Sequence, residues 1–276
     1  MLKEKLSFSH LDGVVEGIYI STDDYSPLVI IINGHNGFYS YGMFPYIQES
    51  LAARGVASYS FNFSHGGVRG DADNFEDLDL YEKNCMRLEV EDSMSVLNNL
   101  TSEKLKNHSK IFLLAHSLGG VPAIFAASKA QDENIKLSGI ILVSTVQQLD
   151  FWPAEMLEEW KRDKVYYKKN NRTKDMLPQG KEFLNEVLQS DSKWNVEAEL
   201  KKLREPVLII HGENDEAVSL EHGLNKYKWI KETNKRASLK IIPGATHTFN
   251  TKHPFDGTNP QLEEMIQDVL AFIHSA

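Results

Sequence analysis

The chain has 276 residues, of which 41% are hydrophobic and 25% are charged, so it can bury a sizeable core, and a disordered chain is excluded. Thirty Lys and Arg residues stand against 39 Asp and Glu residues, and the resulting formal charge of −9 argues against a nucleic-acid-binding protein. We therefore expect one folded domain, covering residues 1–276.

The cysteine content and the apolar runs indicate in which cellular compartment the protein is expected. Cys85 is the single cysteine, so neither an intramolecular disulfide nor a thiolate-rich metal site is expected. The first ten residues lack the apolar core of a signal peptide, and no apolar run approaches the roughly 18 residues that span a bilayer. We expect a soluble, cytoplasmic protein without a membrane partner.

Short apolar, β-branched runs alternate with longer amphipathic stretches along the chain. This alternation predicts an α/β fold, with a mostly parallel sheet of about eight strands and helices on both faces. The predicted strands cover 14–20, 27–33, 55–61, 110–115, 138–144, 206–211 and 238–242, with 5–10 as a further edge strand. The predicted helices cover 41–53, 80–100, 118–130, 220–233 and 260–274.

Residues 146–204 interrupt the alternation. Their length is far greater than an ordinary connection between a strand and the next helix needs, so we predict an inserted helical cap. The segment is rich in aromatic side chains, which supply large apolar area at low entropic cost. Candidate substrate contacts are Phe151, Trp152, Trp160, Tyr166 and Tyr167. The alternative is that these rings form the small core of the insertion itself.

The clearest chemical motif is the run Ile-Phe-Leu-Leu-Ala-His-Ser-Leu-Gly-Gly at 111–120. An apolar strand leads directly into small residues and then a helix, which is typical of the sharp turn that presents a nucleophilic serine. Ala115 and Gly119 leave room for the backbone to double back beside Ser117. The alternative is that Ser117 only caps the following helix.

A serine hydroxyl is a poor nucleophile at neutral pH and needs an adjacent base, for which histidine is suited. His247 follows the last predicted strand, where the carboxyl ends of parallel strands gather active-site loops. It is the candidate general base. His253 lies farther from the strand end, and we interpret it as a structural or pocket residue.

The orienting carboxylate should also follow a strand. Asp215, with Glu213 and Glu216 beside it, comes shortly after the predicted strand 206–211. An isolated Asp in such a turn is more often solvated. The order Ser117, Asp215, His247, each after a predicted parallel strand, favours Asp215 as the orienting residue, because this is the order described for serine hydrolases of one α/β fold.

An oxyanion hole is the remaining requirement, since negative charge develops on the carbonyl oxygen when a hydroxyl adds to it. The main-chain N–H of Leu118 is one candidate donor, and that of His35, in the Asn-Gly-His-Asn-Gly loop 33–37, is the other.

A metal site at His35, His65 and His116 is not favoured, because no close pairs of ligand-type residues accompany them.

With these motifs the chain resembles the α/β-hydrolase superfamily, and within it the feruloyl or cinnamoyl esterase-like and dienelactone-hydrolase-like serine esterases. The loop 33–37 is similar to the His-Gly-Phe-x-Gly loop of those esterases, from which Asn33 and His35 depart. The stretch 61–70 resembles a second, chiefly structural loop, which gives His65 a supporting role. In dienelactone hydrolase the sharp turn that corresponds to the turn around Ser117, called the elbow, carries a cysteine. Cys85, by contrast, lies in a predicted helix.

The expected activity is hydrolysis of a carboxylic ester of a small or medium-sized molecule through an acyl-enzyme, as in carboxylesterases. The motifs imply neither a cofactor nor a metal, and the expected partner is a small-molecule ester. Peptidase, amidase and thioesterase activities use the same constellation and stay open, as does a non-catalytic binding protein on this fold. The sequence leaves the oligomeric state open.

Overall fold

The strands and helices follow from a computed structural model that describes residues 1–10, 13–23, 25–100, 107–150, 152–170 and 174–276. The strands are β1 Leu2–His10, β2 Gly13–Ser21, β3 Leu28–Ile32, β4 Ala57–Asn62, β5 Ile111–His116, β6 Gly139–Val143, β7 Tyr166–Lys169, β8 Met176–Gln179, β9 Val207–Gly212 and β10 Ala237–Ile242. The helices are α1 Phe44–Ala52, α2 Leu78–Lys83, α3 Met86–Leu100, α4 Gly120–Asp132, α5 Ala154–Asp163, α6 Lys181–Val187, α7 Val196–Lys202, α8 Leu220–Thr233 and α9 Pro260–Ser275.

Eight strands form the main sheet in the order β1-β2-β4-β3-β5-β6-β9-β10. The pairs from β4 to β10 are parallel, and the antiparallel strands β1 and β2 lie at one edge. This confirms the predicted α/β fold and the mostly parallel sheet. The carboxyl ends of β3, β5, β6, β9 and β10 consequently meet along one edge of the sheet, which is where such folds bind ligands.

The central strands are buried on both faces, because helices cover each side. Successive residues of β3 belong to different cores: Ile30 is in the cluster that includes Leu97 of α3 and Ile124 of α4, whereas Ile31 is in the cluster that includes Leu51 of α1. A strand with two buried faces reads as a continuous apolar run, and this is why its position was predictable. In the described chain, no helix has both the length and the apolar content that crossing a bilayer requires.

Two elements differ from the sequence predictions. The predicted helix 80–100 is broken into α2 and α3, because Asn84 takes an extended backbone conformation, with φ −60° and ψ 143°. The insertion 146–204 is not wholly helical, since β7 and β8 pair as an antiparallel hairpin. Each of these strands has four residues, too few for a period-two pattern to stand out. Helix α7 packs against α4 and α8 and so belongs to the main body.

Candidate active site

Ser117 occupies a tight turn between β5 and α4. Its φ is +57°, in the left-handed region that costs free energy for a residue with a side chain. The turn fits only because its neighbours are glycines: a Cβ on Gly119 would lie 2.3 Å from the carbonyl oxygen of Asn33, and one on Gly34 would lie 2.7 Å from the Cβ of Ser117. The backbone thus presents the Ser117 hydroxyl at the carboxyl edge of the sheet.

The three sequence-predicted catalytic residues lie in hydrogen-bond contact. His247 Nε2 is 3.0 Å from Ser117 Oγ, and His247 Nδ1 is 2.9 Å from Asp215 Oδ2 and 3.0 Å from Oδ1. A carboxylate can only accept, so Nδ1 carries the proton and Nε2 is left to accept from the serine hydroxyl. This run of hydrogen bonds suits proton transfer from Ser117 to His247.

Asp215 is held as a carboxylate. Burial by itself raises its pKa, but hydrogen bonds from His211 and His247 outweigh burial and hold the pKa well below the usual range. The main-chain N–H groups of Ala217 and Val218 also donate to Oδ1, at 3.0 and 2.8 Å. His211, which is fully buried, lies 3.4 Å from Oδ2 and contacts the carbonyl oxygen of Val218 at 2.8 Å. Sequence reasoning missed His211, although it immediately follows four apolar strand residues.

The loop between β3 and α1 supplies the candidate oxyanion donor. The N–H of Gly37 donates to the carbonyl oxygen of Gly34 at 2.9 Å, and Asn36 has φ +61°, so the loop turns sharply beside Ser117. Tyr81 of α2 donates a hydrogen bond to Asn36 Oδ1 and steadies the turn. No described residue accepts a hydrogen bond from the main-chain N–H of His35. This leaves the N–H able to bind an oxyanion, as predicted for it and for Leu118.

The ring of His35 points to the insertion. It meets Trp152 edge-on, with ring centroids 5.6 Å apart, and lies 6.1 Å from Phe183. Its Nε2 is buried and has no partner among the described residues. Burial, and to a lesser extent the Lys168 ammonium, lower the pKa of His35 to about 3, so the ring is neutral at physiological pH. The uncharged side chain therefore packs between the loop 33–37 and the insertion.

A cavity of about 430 Å³ opens at Ser117. Its described lining comes from three parts of the chain: the 34–44 loop, the elbow, and the loop after β10. The lining residues are Gly34, His35, Asn36, Gly37, Tyr41, Gly42, Met43, Phe44, His116, Ser117, His247, Thr248, Thr251, Lys252 and His253. This volume suits a small or medium-sized ligand.

The insertion's aromatic residues take different positions. Trp160 is fully buried and stacks on Phe183 at 5.9 Å, and Tyr166 lies beside it at 6.2 Å. Trp152 is 8% exposed and is not among the described lining residues of the cavity, but it contacts His35, which lines it. Tyr167 is exposed, and the predicted contact Phe151 lies outside the described residues. Direct contact of these rings with substrate stays a prediction.

Two histidines beside the cavity have defined partners. His116 Nε2 lies 3.0 Å from the carbonyl oxygen of His247, and burial, with the neighbouring His247, lowers the pKa of His116 to about 3. The neutral ring thus donates to the loop that carries the base. His253 accepts from the N–H of Gly42 at 2.9 Å and contacts Asp73 at 2.7 Å. His253, interpreted from the sequence as a structural or pocket residue, and His116 both line the cavity.

Two other residues from the sequence analysis lie apart from the cavity. His65 is buried, and its Nδ1 is 2.8 Å from Ser64 Oγ. Burial and the nearby Glu186 raise the pKa of the Cys85 thiol to about 11, so it is a poor nucleophile. Within the described ranges, no three His, Cys, Asp or Glu side chains are grouped so that they could hold a metal ion.

The chain has similarities to known proteins along nearly its whole length. A sequence model described as the alpha/beta hydrolase family matches residues 29–261. The fold is similar to that of Est1E from Butyrivibrio proteoclasticus, solved with ferulic acid bound, with 20% identity, a TM-score of 0.71 and 98% of each chain covered. No curated protein sequence matches.

Two further solved structures are similar. DcsB in complex with its substrate analogue has 15% identity and a TM-score of 0.73, with 99% of each chain covered. Dienelactone hydrolase from Anabaena variabilis has 15% identity and a TM-score of 0.66, over 99% of this chain and 97% of that chain. At these identities the similarity is one of fold.

Proposed function

Since this chain belongs to the alpha/beta hydrolase family, whose sequence model matches residues 29–261, we propose that it is a serine hydrolase that cleaves a carboxylic ester through an acyl-enzyme. The observation that carries the proposal is the continuous run of hydrogen bonds from Ser117 Oγ through His247 to Asp215. A binding protein on this fold would have no use for a strained serine aligned with a base.

In the acylation half-reaction, Ser117 Oγ attacks the ester carbonyl carbon while its proton passes to His247 Nε2. The carbonyl oxygen becomes an oxyanion, which the main-chain N–H groups of His35 and Leu118 stabilise. The tetrahedral intermediate then collapses: the bond to the alcohol oxygen breaks, and His247 Nε2 returns the proton to that oxygen. The alcohol leaves, and the acyl group stays on Ser117.

Deacylation repeats these steps with water as the nucleophile. His247 Nε2 removes a proton from water, the hydroxide adds to the acyl carbon, and collapse returns the proton to Ser117 Oγ and releases the carboxylic acid. Asp215 keeps the Nδ1–H tautomer of His247 and stabilises the imidazolium in both halves. Because its carboxylate is fixed by Ala217 and Val218, the ring is oriented before substrate arrives.

The cavity bears on substrate size. The cavity at Ser117 has a volume of about 430 Å³, its lining includes Tyr41, Phe44, Thr248 and Thr251, and it fits a small or medium acyl group. Thioesters and amides of that size present the same carbonyl to the same residues. We propose an ester because an alcohol is a better leaving group than an amine when the tetrahedral intermediate collapses, and the substrate panel below compares esters with thioesters and amides.

Labelling with a fluorophosphonate probe tests the nucleophile. We expect one adduct, on the peptide that contains Ser117, together with release of nitrophenol from p-nitrophenyl acetate. Ser117→Ala should abolish the adduct and nearly all turnover. Cys85→Ala is the matched control and should label normally, because the thiol is buried and weakly acidic. An adduct on another residue, or none in the wild type, contradicts the proposal.

A substrate panel then separates the leaving groups. Acetyl, butyryl and cinnamoyl groups should be compared as nitrophenyl esters, thioesters and anilides, with kcat/KM as the readout. We expect esters to be the best substrates for at least one acyl group. A preference for anilides across all acyl groups would replace the esterase by an amidase while leaving the nucleophile unchanged.

A further inference from the structure

Helix α8 holds the loop that follows β6 through three polar side chains. His222 Nδ1 accepts from the main-chain N–H of Gln147 at 3.0 Å, and Asn225 donates to Gln147 Oε1 at 2.9 Å. Lys226 donates to both the carbonyl oxygen and the hydroxyl of Thr145, the latter at 2.6 Å. The spacing of three and four residues places these side chains on one face of the helix.

Lys226 is an unusual member of this set, because it is fully buried. A third contact, to the carbonyl oxygen of Val146 at 3.2 Å, gives the Lys226 nitrogen three oxygen partners. No carboxylate among the described residues forms an ion pair with it. Burial lowers the pKa of Lys226 well below its usual value, and the nearby Asp215 carboxylate acts in the opposite sense. A buried amine costs free energy unless all its donors are satisfied, as they are here.

The loop that Lys226 holds contacts the main chain of Ser117. The N–H of Val146 donates to the carbonyl oxygen of Ser117 at 3.3 Å. The side chain of Thr145 is packed against the start of α4, where a Cβ on Gly120 would lie 2.5 Å from the Thr145 Cβ. Movement of either residue would therefore be transmitted to the turn that carries Ser117.

The same helix is also tied to the orienting carboxylate. It begins at Leu220, two residues after Val218, whose N–H donates to Asp215. A Cβ on Gly223 would lie 2.8 Å from Nδ1 of His211, so the helix is packed tightly onto β9. One helix thus joins the turn that contains Asp215 to the loop beneath Ser117.

We propose that Lys226 is a positioning residue: by holding the Thr145 hydroxyl and the Thr145 and Val146 carbonyl groups it fixes the main chain of Ser117, so that Oγ stays in contact with His247. The inference rests on the proposed function of Ser117. The hydrogen bonds of Lys226 go to Thr145 and Val146 and not to Ser117 or His247. It therefore acts through the Val146 hydrogen bond and the packing of Thr145. Its loss should slow acylation without weakening the binding of substrate.

Kinetics of Lys226→Met provide the first test. We expect kcat for p-nitrophenyl acetate to fall about 10- to 100-fold with little change in KM, because a displacement of about 1 Å in a nucleophile has an effect of that size. The rate of fluorophosphonate labelling should fall with it. Ile230→Ala is the matched control: Ile230 is also fully buried on α8, but one turn farther along. It should lower the melting temperature and leave kcat near that of the wild type.

The partner hydroxyl gives an independent test if Lys226→Met does not fold. Thr145→Val removes the hydroxyl acceptor of Lys226, keeps the shape and leaves the two carbonyl acceptors, whereas Thr145→Ser keeps all three. We expect kcat to fall in the first and to be largely retained in the second. The double variant Lys226→Met/Thr145→Val should lose less than the product of the two single effects, since both act through one contact.

The outcomes separate the two proposals. Wild-type kcat and labelling rate in folded Lys226→Met overturn the positioning role, as do equal kcat values for Thr145→Val and Thr145→Ser. A loss in Ile230→Ala that equals the loss in Lys226→Met, both tracking melting temperature, overturns it as well. If wild-type protein is not labelled at Ser117, the failure lies with the proposed function.

Discussion

The two oxygens of Asp215 have unequal surroundings. Oδ1 accepts from the main-chain N–H groups of Ala217 and Val218 and is also 3.0 Å from Nδ1 of His247, whereas Oδ2, at 2.9 Å from that Nδ1, accepts from neither main-chain group. The two main-chain N–H groups therefore determine the orientation of the side-chain amide in Asp215→Asn. The oxygen of an asparagine would keep the two N–H groups, and its NH₂ group would face His247.

Asp215→Asn should consequently lower kcat by about 10³- to 10⁴-fold with little change in fold, because the amide donates to Nδ1 and leaves the proton on Nε2. The measurement is kcat for p-nitrophenyl acetate together with the melting temperature. Glu213→Gln is the control, since Glu213 is exposed and contacts only the N–H of Gly244 in the described chain. If Asp215→Asn keeps the wild-type kcat, the orienting role belongs to another carboxylate.

Substitutions at Gly34 and His35 test whether the proposed oxyanion donor of the loop 33–37 is a main-chain N–H group or a side chain. A Cβ on Gly34 would lie 2.9 Å from the carbonyl oxygen of His116 and 2.7 Å from Ser117 Cβ, so Gly34→Ala must displace the elbow or the loop. We expect kcat to fall at least about ten-fold. His35→Ala keeps the main-chain N–H and should retain kcat within a few-fold, at a lower melting temperature because the ring packs against Trp152. The opposite ranking of kcat would contradict a backbone donor.

At the scale of elements, the insertion is fastened to the body by a carboxylate. Glu186 of α6 accepts from the main-chain N–H of Met86 at 2.6 Å and of Arg87 at 3.2 Å, at the start of α3. A carboxylate at a helix N-terminus satisfies donors that the helix leaves unpaired and suits the helix dipole. The hairpin and α5 then enclose an aromatic core that includes Trp160 and Phe183.

Trp160→Ala tests whether this core sets specificity. Because Trp160 is fully buried against Phe183, we expect a loss of about 3–5 kcal/mol in stability and equal losses of kcat/KM for acetyl and cinnamoyl esters. The control is Tyr167→Ala in β7 of the insertion. The Tyr167 side chain is 55% exposed, so its loss should leave the melting temperature unchanged. An altered ratio of the two kcat/KM values at an unchanged melting temperature would assign Trp160 a contact with substrate.

At the scale of the whole molecule, buried titratable groups set how stability varies with pH. The pKa values of His35 and His116 are both lowered, to about 3, by burial. In the unfolded chain a histidine binds a proton below about 6.5. The unfolded state therefore binds more protons than the folded state between these values, and the free energy of unfolding falls as the pH drops from about 6.5 towards 3.

Glu89 acts in the opposite sense. Burial raises its pKa to about 8, and the neighbouring Asp92 and Glu186 carboxylates add to this, although a hydrogen bond from Asn84 lowers it. The folded state keeps a proton that the unfolded chain releases near pH 4.3, so the free energy of unfolding falls as the pH rises from there to about 8.

Glu89→Gln removes that titration and keeps an acceptor for Asn84. We expect its melting temperature to match that of the wild type near pH 4.5 and to exceed it by on the order of 5 °C at pH 8. Thermal unfolding at several pH values measures the gap. Glu133→Gln, at an exposed position, should give no gap that grows with pH. A gap that is constant from pH 4.5 to 8 would show that Glu89 is not protonated in the fold.

Local pattern was enough to predict most strands of the sheet and three candidate residues of the site. Buried parallel strands read as continuous apolar runs, and the small residues around Ser117 are needed by the turn itself. The order of Ser117, Asp215 and His247 along the chain favoured Asp215 as the orienting residue. It also indicated that the three residues lie in one site, because the carboxyl ends of parallel strands converge. None of this depends on knowing which strands are neighbours.

Only the tertiary structure decided what lies beside those residues. Lys226 and Thr145 are 81 positions apart and meet because α8 packs against the loop after β6. His35 lies against Trp152 and Phe183, two rings of the insertion that are more than 100 positions away along the chain. The insertion's short hairpin and the break between α2 and α3 carry no periodic signal of their own. Sequence patterns report burial and local backbone preference, whereas contacts between distant segments follow from strand order and packing, which local patterns do not encode.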